Sequence, residues 1–100
     1  MKTEKITGLI AAPFTPMHPH GEVNVQVIEK YHGLLASNGV VGAFINGSTG
    51  EGVSTTMREK LVVAEAWANA TSGGNIKVIN HLGGTCYKDC IELAKESKRM

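Results

Sequence analysis

Three continuous apolar runs, each followed by a helical stretch, constrain what this 100-residue chain can fold into more than any other feature. The runs are Gly8-Leu-Ile-Ala-Ala-Pro-Phe-Thr15, Val40-Val-Gly-Ala-Phe-Ile-Asn46 and Ile76-Lys-Val-Ile-Asn-His-Leu82. None alternates apolar with polar residues, so each predicts a strand covered on both faces, as in a parallel sheet. Their starts lie on the order of thirty residues apart, the size of one βαβ unit.

The segments between the runs carry helical signals. Asn24 is a good N-cap after the turn residues His18-Pro-His-Gly21, and Val27, Ile28, Tyr31, Leu34 and Leu35 recur at helical spacing until Ser37-Asn38-Gly39. Thr56-Met-Arg-Glu59 has the pattern of a capping box, Thr at N-cap and Glu three residues on. It opens a helix with the stripe Met57, Leu61, Ala64 and Ala68, closed by Thr71-Ser-Gly-Gly74 with a glycine in the left-handed cap. A third helix is predicted from near Cys86 through Ile91, Leu93 and Ala94 to the last residue.

The order is therefore β-α-β-α-β-α, an α/β chain with a parallel sheet. A doubly wound dinucleotide fold is disfavoured, because the connection Pro16 to Glu22 lacks the glycine fingerprint such a fold carries after its first strand. A (β/α)8 TIM barrel fits better, since eight units of this length make about 250 residues. Lys98-Arg-Met100 holds no Gly, Pro or Asn to cap the helix, so residues 1–100 are expected to be the N-terminal part of a single barrel domain, cut within its third helix.

Composition excludes several functions. Ten Lys plus Arg against nine Asp plus Glu give a net charge of +1, without a basic block that would hold nucleic acid or a membrane surface. Hydrophobic residues at 42% with charged ones at 19% suit a folded globular chain, and no apolar run approaches the roughly 20 residues of a membrane span. Behind the basic start, Leu9 to Phe14 is shorter than the roughly 7–15 residues of a signal-peptide core, so a cytoplasmic location is expected. Cys86 and Cys90 are too few for a secreted disulfide scaffold and are expected as reduced thiols.

The loop Gly47-Ser-Thr-Gly-Glu-Gly52 follows the second strand, at the end where a barrel keeps its active site. Its glycines let the backbone approach a ligand, its N–H groups can converge on an anion, and Ser48 and Thr49 set two hydroxyls side by side. A carboxylate suits such a loop; a nucleotide phosphate does not, because no Gly-Lys-Ser/Thr follows. By pattern alone the segment also reads as a plain glycine-rich turn. An Asn46-Gly47 hairpin is a further bland reading, but no alternating strand follows it.

Gly8-Leu-Ile-Ala-Ala-Pro-Phe-Thr-Pro16, Gly21-Glu-Val-Asn24, Gly42-Ala-Phe-Ile-Asn-Gly-Ser-Thr-Gly-Glu-Gly52 and His81-Leu-Gly83, in that order over nearly the whole chain, resemble the N-terminal third of the dihydrodipicolinate synthase / N-acetylneuraminate lyase family. Gly52 and the segment Ala64-Glu-Ala-Trp67 are similar to the members that cleave sialic acid; the synthases usually carry Ser at the position of Gly52. The resemblance implies a homotetrameric Schiff-base aldolase that needs no cofactor. Its pyruvoyl carboxylate would lie on the loop of Gly47, Ser48 and Thr49, with Ser48 also in a proton relay with a tyrosine. It implies cleavage of N-acetylneuraminate to N-acetylmannosamine and pyruvate, or, in the sister activity, condensation of pyruvate with another aldehyde.

The family places the Schiff-base lysine and the tyrosine on later strands, so these 100 residues alone are expected to be inactive. None of the eight lysines suits the role: Lys2 and Lys5 precede the first strand, Lys30, Lys60, Lys95 and Lys98 fall on helices, Lys88 lies near a helix start, and Lys77 begins the third strand. A non-catalytic chain that only binds a small carboxylate, or folds against a partner, is the competing class.

Other residues carry bland readings beside sharp ones. Thr15 either borders the pocket or bonds its own turn. Glu51 would repel a substrate carboxylate, so a structural role bonding loop N–H groups is expected. His81 is expected to be a hydrogen-bonded scaffold residue. His18 and His20 lack companions for a metal, and Cys86 and Cys90 with His81 are too few for zinc, so no metal site is expected. Asn46-Gly-Ser48 and Asn69-Ala-Thr71 fit the glycosylation pattern but would not meet that machinery in the cytoplasm.

Overall fold

The second apolar run forms the central strand of a three-stranded parallel sheet in a computed structural model, which describes residues 3–74 and 76–100. Lys2 lies outside the described residues. The elements in order are β1 (Ile10–Ala11), α1 (Val25–Ser37), β2 (Gly42–Ile45), α2 (Met57–Thr71), β3 (Lys77–Asn80) and α3 (Tyr87–Arg99). β1 pairs with β2 in the register Ile10 to Gly42, and β2 with β3 in the register Gly42 to Lys77. Sequence order equals spatial order, as at the start of a barrel.

Side chains alternate across β2. Ala43 and Ile45 face the helices and join Ile28 of α1, Val63, Ala64 and Trp67 of α2 and Ile76 in the core. Trp67 is 1% exposed and lies against Tyr31, ring centroids 5.7 Å apart. The expected burial on both faces is approached only in β2, where Ala43 and Ile45 are buried and Phe44 on the other face is half-buried; in its neighbours Ile10 and Lys77 are exposed, and Leu9 before β1 is 72% exposed. β1 and β3 are edge strands of this sheet and have a neighbour on one side only.

The helix signals are realised with differences. Asn24 does precede α1, but its side chain makes no capping bond; its N–H instead donates to the Pro16 carbonyl, and among the described residues Oδ1 is buried without a partner. Of the predicted α1 stripe, Ile28 is buried and Tyr31 and Leu35 pack on the core, whereas Leu34 is 59% exposed. The actual buried face of α2 is Val63, Ala64 and Trp67. In α3 only Leu93 of the three predicted apolar positions is buried. Lys77 pairs with Glu4 at the N-terminal end of the strands. Among the described residues no helix is long and apolar enough to cross a membrane.

The capping box is complete. Thr56 Oγ1 accepts from the Glu59 N–H at 3.1 Å, and Glu59 Oε1 accepts from the Thr56 N–H at 2.8 Å. Thr56→Ala is expected to destabilise the fold by about 1 kcal/mol, checked by chemical denaturation, because the first turn of α2 loses a satisfied N–H. An unchanged midpoint would mean that water replaces the cap at no cost.

Candidate functional site

β2 ends on Asn46, whose φ of 60° turns the chain sharply away from the strand direction. Among non-glycine residues Asn is one of the few that enters this left-handed region readily, because its short polar side chain can bond locally. The segment from Gly47 then curls back over Asn46 and runs through a single 3₁₀ turn, Gly52–Ser54, into α2. Within the curl, the Glu51 N–H donates to the Ser48 carbonyl and the Gly52 N–H to the Gly47 carbonyl, both at 3.0 Å.

The glycines are fixed by space. A Cβ on Gly52 would lie 2.1 Å from the Asn46 carbonyl oxygen, and one on Gly50 would lie 3.1 Å from the Asn46 nitrogen. A Cβ on Gly47 would meet the Phe44 ring at 2.8 Å. Thr15, 7% exposed, reaches beyond its own turn: its hydroxyl donates to the Gly50 carbonyl at 2.6 Å. It therefore ties the end of the first apolar run to the loop after β2.

Ser48 and Thr49 stand exposed on the outside of this curl, at the C-terminal end of the sheet. Among the described residues, their N–H groups donate to no backbone carbonyl. Two hydroxyls and two unspent N–H groups in consecutive residues can receive a carboxylate through charge-assisted hydrogen bonds, each worth about 1.5–3 kcal/mol. Gly47, buried beneath them, sets the close approach to Phe44.

Glu51 departs from its expected role. Its carboxylate is exposed and bonds no loop N–H group among the described residues; only its main chain, at φ 58°, takes part in the turn. His81 is likewise exposed, with no side-chain hydrogen bond among the described residues, and stands beside Phe44 with ring centroids 5.6 Å apart. Strand alternation places Phe44 on the face of β2 opposite Ala43 and Ile45, which is where His81 meets it.

A cavity of about 270 Å³ lies elsewhere, between the starts of α2 and α3, lined by Thr56, Lys60, Cys86 and Cys90 among others. Ser48 and Thr49 do not line it. The two cysteines are free thiols. His18 and His20 stack face to face at 5.1 Å, and among the described residues no three His, Cys, Asp or Glu converge as a metal site.

Sequence reasoning missed a polar ladder behind the loop. Asn46 Nδ2 donates to the Lys60 carbonyl at 3.2 Å and to Asn80 Oδ1 at 2.9 Å, and Asn80 Nδ2 donates to Ser97 Oγ. The signal available was Asn directly before Gly at a strand end, a favoured left-handed position.

The family model for the Dihydrodipicolinate synthetase family matches residues 5–100. The chain is 40% identical over 97 residues to N-acetylneuraminate lyase of Danio rerio, covering 96% of this chain and 32% of that protein. It is also 40% identical over 95 residues to N-acetylneuraminate lyase of Homo sapiens, covering 94% and 30%. Of solved structures, Proteus mirabilis N-acetylneuraminate lyase superposes with a TM-score of 0.92 at 40% identity, over 97% of this chain and 32% of that one. Dihydrodipicolinate synthase from Aquifex aeolicus superposes at 0.86 and 29% identity, over 94% and 31%. The chain spans about a third of the length of these relatives.

Proposed function

The chain belongs to the dihydrodipicolinate synthetase family, and from that premise we propose that residues 1–100 are the N-terminal part of a single barrel domain in a class I pyruvate aldolase. Its reaction is the cleavage of N-acetylneuraminate to N-acetylmannosamine and pyruvate. One observation carries this reading: Ser48 and Thr49 lie side by side at the C-terminal end of the sheet, exposed, with main-chain donors free to meet a carboxylate. The preference for the lyase over a synthase rests on the higher identity to lyases, 40% to those of Danio rerio and Proteus mirabilis against 29% to the synthase of Aquifex aeolicus.

In this reading the carboxylate of the pyruvoyl unit accepts hydrogen bonds from the Ser48 and Thr49 hydroxyls and N–H groups. That fixes the keto carbon for imine formation with a lysine outside these residues. The imine draws electrons from the breaking carbon–carbon bond, so N-acetylmannosamine leaves as the aldehyde and an enamine of pyruvate remains. Ser48 relays a proton with a tyrosine, also outside these residues. No cofactor is needed, because the imine is the electron sink. The working protein is a cytoplasmic homotetramer.

Borohydride reduction in the presence of pyruvate tests the imine. One lysine outside residues 1–100 is expected to retain the reduced adduct, while Lys60, Lys77 and Lys88 stay unmodified, since none is desolvated at a strand's C-terminal end. Capture of pyruvate on Lys77 or Lys88 in peptide mass spectra would contradict the assignment. Pyruvate release from N-acetylneuraminate separates the lyase from a condensing aldolase built on the same loop.

A further inference from the structure

We propose that Asn46 is a positioning residue for the carboxylate cradle, held in place by the amide ladder through Asn80 to Ser97; this inference rests on the cradle reading of Ser48 and Thr49. Asn46 is 2% exposed, has a φ of 60°, and leaves Oδ1 buried without a partner among the described residues. A non-glycine residue in a left-handed conformation with an unpaired buried acceptor persists only where its surroundings over-determine it, and such positions gather at functional sites.

The surroundings supply that determination. The Lys60 carbonyl can only accept, so it fixes which end of the Asn46 amide faces α2, and Nδ2 must be the atom pointing there. The same Nδ2 reaches Asn80 Oδ1, which leaves the Asn80 amide nitrogen to donate to Ser97 on α3. The ladder thus has one direction, and it joins β2, α2, β3 and α3 at the residue where the chain leaves the sheet.

Asn46 lies two residues before Ser48, and the loop closes on its main chain through Gly50 and Gly52. A rotation about its backbone therefore moves the Ser48 and Thr49 hydroxyls as a unit. A bidentate carboxylate site is sensitive to such displacement, because its donors must converge on two oxygens at once.

Pyruvate binding to the full-length enzyme, measured by titration calorimetry, tests this. Asn80→Leu removes the acceptor for Asn46 and is expected to weaken pyruvate binding about tenfold. Asn80→Asp keeps an acceptor for Asn46 and can accept from the Ser97 hydroxyl, so its affinity is expected to stay within about twofold of the parent. Should Asn80→Leu fail to fold, Asn46→Gly removes the amide while keeping the left-handed turn accessible, with the same expected weakening. A purely structural ladder would lower the melting temperature of both Asn80 variants and leave the affinity of the folded protein unchanged.

The control is Ser48→Ala with Thr49→Val. If that pair weakens pyruvate binding and Asn80→Leu does not, the cradle stands and the positioning role of Asn46 is wrong. If neither weakens it, the cradle reading fails and takes this inference with it.

Discussion

Replacing Ser48 by Ala is expected to lower kcat/KM for N-acetylneuraminate in the full-length enzyme by about one to two orders of magnitude. A hydrogen bond to a carboxylate is worth about 1.5–3 kcal/mol, and about 1.4 kcal/mol is tenfold. Much of the loss falls on kcat, because in the proposed mechanism Ser48 also relays a proton. Thr49→Val should act mainly through KM, since its hydroxyl holds the carboxylate equally in the ground and transition states. The free N–H groups of both residues survive either change, so the double variant keeps residual activity. Steady-state kinetics on the two single variants and the double decides the matter. If the double variant kept the parent's kcat and KM, the loop would be only a turn between β2 and α2.

The features that fix this loop in space are unequally legible in the sequence. The class and the strand order follow from three unbroken apolar runs, since such runs suit a parallel sheet with helices packed against it. The capping box at Thr56 and Glu59 is readable because its partners are three residues apart. The Gly-Ser-Thr-Gly-Glu-Gly loop is readable because its residue types carry their own chemistry. Contact across distance is not readable in this way. Thr15 meets Gly50 from 35 residues away, and Asn46 meets Asn80 from 34, so no local pattern predicts either bond. Glu51 departs from expectation for a related reason: charge repulsion argues against substrate contact, but only the left-handed backbone shows that its carboxylate turns outward instead of into the loop. Leu34 keeps helical spacing yet is exposed, because spacing gives the period of a helix face and not the width of what covers it.

The second large effect is expected at Gly52. An added methyl there would stand 2.1 Å from the Asn46 carbonyl oxygen, well inside contact distance, and that oxygen belongs to backbone. No rotamer change relieves the clash. The loop must open, at a cost of about 1–3 kcal/mol in stability by analogy with overpacked cores. The displaced hydroxyls should also cost roughly a hundredfold in kcat/KM, as misplacement by about 1 Å can. The left-handed Asn46 brings its carbonyl over Gly52, which gives a physical reason for glycine at this position. The two positions are therefore coupled. Asn46→Gly would let the turn relax, so the stability penalty of Gly52→Ala should shrink by at least about 0.5 kcal/mol in that background, the scale on which contacting residues depart from additivity. Denaturation midpoints for the two single variants and the double measure that difference. Strict additivity would show that the Asn46 turn is not what excludes a side chain at position 52.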